Sequence, residues 1–430
     1  MILIVGAGLA GLACAKLLAD AGQSIKILEA SDRVGGRVRT DMHEEGYRLD
    51  RGFQVLFTAY PSVRQLLNYD DLKPRRFDPQ TLLVNNGKRF VLADPRRQPD
   101  KALTSLANPL VSIIDKGRLL GLFPLLGLSP DEIFAGKGLQ GQDVSTEQYL
   151  QRLGFAEQGF IEHFARPFFG GIFLNRQLST SARMFQFVLK MLAEGQTILP
   201  AEGMGSIAEQ LASSLPSGTI HYHARVSELL RGEGSRVIGV RLSNGEQVEA
   251  DQVVIATESP VAAKLTGLPL PTEGVGCTCL YFAGAERLYD QRAIVLHTDP
   301  ASYVNHVVLL SNIAPTYAPP RRHLLSVTVL DLTEQDDERM ARRCLSELSS
   351  WFPEHDLASW MFLRCYRIPF SQFTQKPGIF DQLSGNRTSL KGLYLAGEYT
   401  QSSSIHGALQ SGIYAARTVL ETLRQSEGTP

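Results

Sequence analysis

Short continuous apolar runs alternate along this chain with stretches in which apolar residues recur every three or four positions. That is the pattern of buried parallel strands joined by helices. The chain opens on Ile2-Leu3-Ile4-Val5, a run of strand length. A glycine turn follows, then helical spacing from Leu9 to about Ala21, then a second strand, Ile25-Lys26-Ile27-Leu28, ending at Glu29. A short strand is predicted at 46–53, and a hairpin from the apolar runs 81–84 and 89–92 around Asn85-Asn86-Gly87. Helical periodicity then dominates, at 103–114, 147–153, 160–169 and 181–192.

After Pro200 the first pattern returns. Gly203-Met204-Gly205 precedes a predicted helix at 206–215, and strands are expected at 220–230, 236–242 and 247–257. The last of these holds Val253-Val254-Ile255-Ala256, a run that reads as buried on both faces. Strands at 277–282, 304–310 and 324–330 precede a helix at 334–351. A final strand at 393–397 ends in glycine. The helix expected at 405–423 carries Ala408, Gly412, Ala415, Ala416 and Val419 as a narrow face of mainly small residues for close packing. The polar tail after Leu423 is expected to fray.

The glycines of the opening unit say what it is for. In Gly6-Ala7-Gly8-Leu9-Ala10-Gly11 the first glycine permits the tight turn and the second lets a pyrophosphate approach the backbone. The third lets helix and strand pack closely. The helix that follows aims its positive end at the phosphates. Glu29 stands at the distance of ~20 residues at which an acid holds a ribose, and an acid there disfavours NADP. Fingerprint, flanking strand and helix, and acid together point to a dinucleotide site.

Composition narrows the setting. At 430 residues the chain has length for two domains. A net charge of -1, without long runs of one sign, gives no indication of a nucleic-acid partner. The motif begins at residue 2, so no signal or transit peptide is expected. Five scattered cysteines favour a reducing, cytoplasmic setting without a disulfide framework. Cys277 and Cys279 share one face of a predicted strand, and with no second Cys/His pair nearby no metal site is expected. No apolar stretch approaches the ~20 residues of a membrane span.

Four segments then agree. The fingerprint with Glu29, the run Gly35-Gly36-Arg37, the strands holding Val226 and Ile255-Ala256-Thr257, and the stretch from Leu395-Ala396-Gly397-Glu398 to Gly407-Ala408 resemble one superfamily. It is that of the FAD-dependent amine oxidases, protoporphyrinogen oxidases and phytoene desaturases. The resemblance implies an α/β fold: a Rossmann-like FAD-binding domain of the glutathione-reductase type, at 1–60, 198–262 and 386–425. A discontinuous α+β substrate domain with a helical lid would occupy 61–197 and 263–385. It also implies residue roles. Gly6, Gly8 and Gly11 would cradle the pyrophosphate, and Glu29, beside Ala30, would hold the adenosine ribose. Gly35, Gly36, Arg37 and Arg39 would fix phosphates and the loop beside the flavin, and Val226 would meet the adenine. Gly397 and Glu398 would meet the second phosphate and the ribityl chain. Gly52, Phe53, Ala256 and Thr257 are further implied FAD contacts. Ile405, His406 and Ala408 open the helix that would face the flavin pyrimidine, where a helix N-terminus stabilises the charge of the reduced ring.

His406 stands where relatives often carry a glutamate, which makes it a candidate catalytic donor or proton shuttle. A histidine that caps the helix or packs against Gly52-Phe53 is the other reading. The amine-oxidase branch implies a lysine near Thr278 and an aromatic residue near Ser404, and neither is present. The stretch Arg367–Phe373 and the region after Met204 look closer to the desaturase branch. An apolar substrate is therefore expected: an isoprenoid, carotenoid-like or polycyclic compound, with quinone or oxygen as electron acceptor. An amine or protoporphyrinogen-type oxidase, or a non-redox flavin-dependent isomerase or binding protein, remains the alternative. Candidate cavity residues are Phe169, Phe173, Met184, Phe187, His306 and Tyr366. The segment 103–128, flanked by Lys101 and containing Lys116 and Arg118, reads either as a lid or as a surface lying on a membrane.

Overall fold

A computed structural model describes residues 1–427. A five-stranded parallel sheet has the order Ile220–His221, Ile25–Leu28, Ile2–Val5, Gln252–Ile255, Leu393–Leu395. Ile2–Val5, Gln252–Ile255 and Leu393–Leu395 are buried along their length, as a sheet covered on both faces requires. Helix Leu9–Asp20 packs on it beside the terminal helix Ile405–Glu427. Their approach is so close that a Cβ on Gly412 would lie 2.3 Å from the carbonyl oxygen of Ala10. The expected narrow face is thus the contact face. Where the tail was expected to fray, the helix continues to Glu427, and the remainder of the tail lies outside the described residues.

Two predicted strands each divide between sheets. Instead of one strand at 220–230, Ile220–His221 joins the parallel sheet and Val226–Arg231 starts a three-stranded antiparallel sheet with Val237–Leu242 and Gln247–Glu249. Between them His223 takes φ +56°, which turns the chain. The strand expected at 247–257 breaks likewise, into Gln247–Glu249 and Gln252–Ile255.

A larger, seven-stranded sheet has the order Met361–Phe373, Gly274–Gly284, His323–Val329, Val304–Leu309, Ile294–His297, Gln80–Asn85, Lys88–Ala93. The predicted hairpin supplies its last two strands. The 13-residue strand Met361–Phe373 was not expected, nor was Ile294–His297. Helix Asp337–Trp351 covers one face of this sheet with Met340, Cys344, Leu348 and Trp351. Its first turn is capped by the Asp336 carboxylate, which accepts from the Arg339 N–H at 3.0 Å, an arrangement worth ~1 kcal/mol.

The other face looks onto the aromatic helices of 157–194. The stretch predicted as helix 160–169 is the π-wound segment Glu157–Ala165 followed by Arg166–Phe173. The helix predicted at 103–114 is two short ones, Ala102–Leu106 and Ile113–Leu120. Pro109 lacks an N–H and restricts Asn108 before it, and Ser112 restarts the helix by capping Asp115 N–H at 3.1 Å.

Candidate functional site

The sequence motifs converge because each lies just beyond the carboxyl end of a parallel strand, where α/β sheets bind ligands. Gly6 follows Val5, Glu29 follows Leu28, Ala256 follows Ile255, and Gly397 follows Ala396 after the last strand. Gly6 takes φ +109°, and a Cβ there would meet the Ala256 carbonyl oxygen at 2.8 Å. A Cβ on Gly11 would fall 2.1 Å from the Gly6 carbonyl oxygen, so this glycine serves packing. Gly8 differs: nothing lies within 4 Å of its Cβ position. That open side, at the start of helix Leu9–Asp20, is a place for a ligand.

The Glu29 carboxylate accepts from the Ala7 N–H at 2.7 Å and from the N–H and Oγ of Ser31, each at 2.8 Å. These bonds fix the acid and leave one acceptor position, on Oε2, for a ribose hydroxyl. Gly35 at φ +114° and Gly36 at φ +57° fold the next loop against Gly8. Arg37 Nη1 donates to Glu398 Oε1 at 2.6 Å and to the Ser371 carbonyl at 2.7 Å. Burial raises the Glu398 carboxyl above its ordinary range while Arg37 opposes that shift. Arg39, a candidate phosphate contact, instead pairs with Asp32 at 2.7 Å and Asp41 at 3.3 Å, and lies off the groove. Sequence reasoning missed Gln54. Its Nε2 donates to the Arg37 carbonyl, and its buried Oε1 has no partner. Open space at Gly8 and unspent acceptors at Glu29 and Gln54 fit a bound nucleotide.

The groove is one end of a continuous cavity of about 1470 Å³. Its wall includes Gly6, Gly8, Glu29, Ala30, Gly35, Gly36 and Arg37 from the first forty residues. Gly52, Phe53, Val226, Ala256, Thr257, Gly397, Glu398, Ile405 and Ala408, also expected at the cofactor, line it too. Gly11, Arg39 and His406 are the expected contacts that do not line it. Beyond the groove the cavity becomes apolar. Helix Ala182–Glu194 presents Met184, Val188 and Leu192 at helical spacing, facing Phe164, Phe168 and Phe169. Among the candidate cavity residues, Phe169, Met184 and His306 line it. Phe173 turns into the core, Phe187 lies on the opposite side of its helix, and Tyr366 donates to Asp41 at 3.0 Å. Thr278, the residue matched to the amine-oxidase lysine, turns away and donates to the Asp331 carbonyl at 2.8 Å. Cys277 faces the cavity instead.

His406 is buried and does not line the cavity. Its ring packs beside the stacked pair Tyr60 and Phe187, whose centroids are 5.9 Å apart, at 5.6 and 5.5 Å from each, and Nδ1 is 2.7 Å from Ser62 Oγ. Burial pushes its pKa down to about 4, so the ring is neutral at ordinary pH. The ring packs on Tyr60 and Phe187, not on Gly52-Phe53. Ser404 caps the same helix, its Oγ accepting from Gly407 N–H at 2.8 Å.

Comparison with known proteins agrees with this geometry. The model of the family described as flavin containing amine oxidoreductase matches residues 9–420. A 15-cis-phytoene desaturase of Glycine max is 24% identical over 98% of this chain and 79% of its own length. One from Synechococcus elongatus is 24% identical over 100% of this chain and 98% of its own. In fold, the chain is similar to a putative protoporphyrinogen oxidase from Exiguobacterium sp. 255-15, with TM-score 0.74 at 20% identity, covering 98% of both chains. The chain belongs to the flavin-containing amine oxidoreductase family, and it is an FAD-dependent oxidoreductase.

Proposed function

We propose that this family member removes hydrogen from an apolar isoprenoid, carotenoid-like or polycyclic compound, with reoxidation by quinone or oxygen. The observation that carries the reading is the shape of the cavity. It totals about 1470 Å³ with the nucleotide groove included, and it continues past that groove into a part walled mainly by aromatic and aliphatic side chains. FAD, when bound, supplies the hydride acceptor. The chain's own residues then do three things. The glycine turn, Glu29 and the Arg37–Glu398 pair orient the nucleotide. The Phe164–Phe168–Phe169 wall excludes water and positions a C–H bond, which is most of what such a reaction asks of a protein. The first turn of helix Ile405–Glu427 offers its positive end where charge develops.

The reading extends to architecture and setting. The parallel sheet with its three-stranded antiparallel excursion supports an FAD domain of the glutathione-reductase type, at 1–60, 198–262 and 386–425. The seven-stranded sheet and the aromatic helices would form the substrate domain at 61–197 and 263–385. On the segment 103–123, Leu103 is 79% exposed, Ile113 70% and Ile114 63%. Leu106, Leu119, Leu120 and Phe123 of the same segment line the cavity mouth, beside Lys116. This supports a protein resting on a membrane, from which an apolar substrate enters directly; the cytoplasmic setting is carried by the scattered cysteines. No helix among the described residues is long and apolar enough to cross a membrane.

Lining carboxylates that could hold an ammonium are largely engaged: Asp78 with Arg292 at 2.7 Å, Asp94 with Arg96 at 2.7 Å, and Glu398 with Arg37. That disfavours an amine substrate. Anaerobic mixing of the FAD-loaded protein with polyenes, prenylated compounds, polycycles and amines, followed by flavin absorbance, tests the reading. Bleaching by an amine and by no apolar compound overturns it.

A further inference from the structure

The apolar chamber contains a polar feature that hydrogen removal from a hydrocarbon does not require. His306 and Thr328 are register partners on neighbouring strands of the seven-stranded sheet, and both line the cavity. Both side chains are buried, at 4% and 2% exposure. His306 Nε2 and Thr328 Oγ1 have no hydrogen-bond partner. Leaving two such groups unsatisfied is costly in a folded protein and calls for an explanation.

The surroundings determine what the histidine offers. Arg176 Nε donates to Asn305 Oδ1 at 2.9 Å, which fixes the Asn305 amide with Nδ2 facing His306 Nδ1 at 3.0 Å. Nδ1 therefore accepts, and the proton of the neutral ring is on Nε2. Burial and the charge of Arg176 push the ring's pKa down to about 3, so it stays neutral. Helix Arg166–Phe173 presses on the Nδ1 edge: a Cβ on Gly171 would lie 3.2 Å from Nδ1. Phe53 packs edge-on against the ring at 5.1 Å. The ring is thus held with one N–H free, and the Thr328 hydroxyl beside it can turn its own proton the same way.

We propose that the cavity takes a compound with a carbonyl oxygen on an otherwise apolar body, and that His306 Nε2–H and Thr328 Oγ–H hold that oxygen. A carbonyl has two lone pairs and no proton, so it can accept from both donors at once. The carbonyl belongs either to the compound oxidised or to a quinone that accepts the electrons. The inference rests on the reading of the chamber as a site for apolar compounds and narrows it to oxygenated ones.

Equilibrium dialysis of the FAD-loaded protein tests this with three probes: farnesal, farnesene and duroquinone. Farnesal should bind about tenfold more tightly than farnesene, the weight of one good buried hydrogen bond. His306→Leu and the nearly isosteric Thr328→Val should each shrink that preference and leave farnesene within twofold of its original affinity. His306→Gln, which keeps a donor, should retain part of it. If His306→Leu fails to hold FAD, Thr328→Val decides. Equal binding of aldehyde and hydrocarbon, with duroquinone indifferent to either substitution, overturns the proposal and leaves the apolar-substrate reading intact. Duroquinone binding that depends on His306, with neither terpenoid bound, supports the carbonyl site, assigns it to the acceptor and removes the apolar-substrate reading. Binding of none of the three overturns both.

Discussion

The two ends of the cavity are built in opposite ways. In the groove the ligand-facing surface is largely backbone: glycines at φ +109°, +114° and +57°, with polar side chains tied to partners at 2.6–2.8 Å. In the chamber the surface is side chain, apolar and aromatic, with His306 and Thr328 left unpartnered. A backbone surface offers few positions at which a side chain can change without disturbing the turn, Gly8 being the open one, so the groove is held to one shape. A side-chain surface can change by single substitutions, so the chamber is where related enzymes can differ in substrate. Hydrogen removal needs both: rigid placement of the acceptor and a dry, shape-selective wall.

The sharpest way to break this contrast lies within the glycine turn. Gly8→Val places its side chain in open space, so the apoprotein should fold with an unchanged melting temperature. FAD affinity should fall at least hundredfold, ~3 kcal/mol. Gly11→Val meets the Gly6 carbonyl at 2.1 Å from Cβ alone and should instead lower the melting temperature itself. Equal behaviour of the two variants would contradict the division between ligand-facing and packing glycines.

Next in size is a pH effect at a buried carboxyl off the cavity wall, just before Arg51 and Gly52 in sequence, which line the cavity. Asp50 is buried, accepts from Tyr317 Oη at 2.8 Å and from Met204 N–H at 2.9 Å, and its pKa is pushed up by burial to about 6 from 3.8. The folded state therefore holds this proton more tightly than the unfolded chain. Its contribution to stability is present in full below the unfolded value and is lost as pH rises through about 6, on the order of 2–3 kcal/mol. Melting temperatures of Asp50→Asn against the wild type should show a flatter dependence between the two values.

A smaller effect tests the chamber's mouth. Ile113→Ser with Ile114→Ser should reduce co-sedimentation with anionic phospholipid vesicles about tenfold, with FAD content unchanged, since exposed apolar area is lost there. The smallest effect concerns His406. His406→Phe preserves the stack with Tyr60 and Phe187, and flavin reduction should change less than threefold. A loss of hundredfold or more would restore a catalytic role.

The groove was legible in the sequence because its constraints are local: a tight turn needs glycine wherever it occurs, and the acid follows at a fixed distance. The chamber was not, because it depends on rotation and register. Phe187 and Val188 are adjacent in sequence, yet one packs on His406 and the other faces the cavity. Thr328 faces the cavity only because its strand pairs in register with that of His306. The divided strands at 220–231 and 247–255 show the same limit. Strand-forming residues run on while the chain changes sheets, and a single left-handed residue, His223, marks the first change.

On the proposed reading, the apolar chamber delivers a C–H bond to FAD held in the groove. This claim is tested most directly by anaerobic reduction of the bound flavin by an isoprenoid carrying deuterium at the bond to be broken. Wild type should bleach, several-fold more slowly with deuterium than with hydrogen. Met184→Trp, which fills the chamber, should retain FAD and lose the reaction. Bleaching that survives the filled chamber at the original rate, or that only amines produce, would contradict the claim.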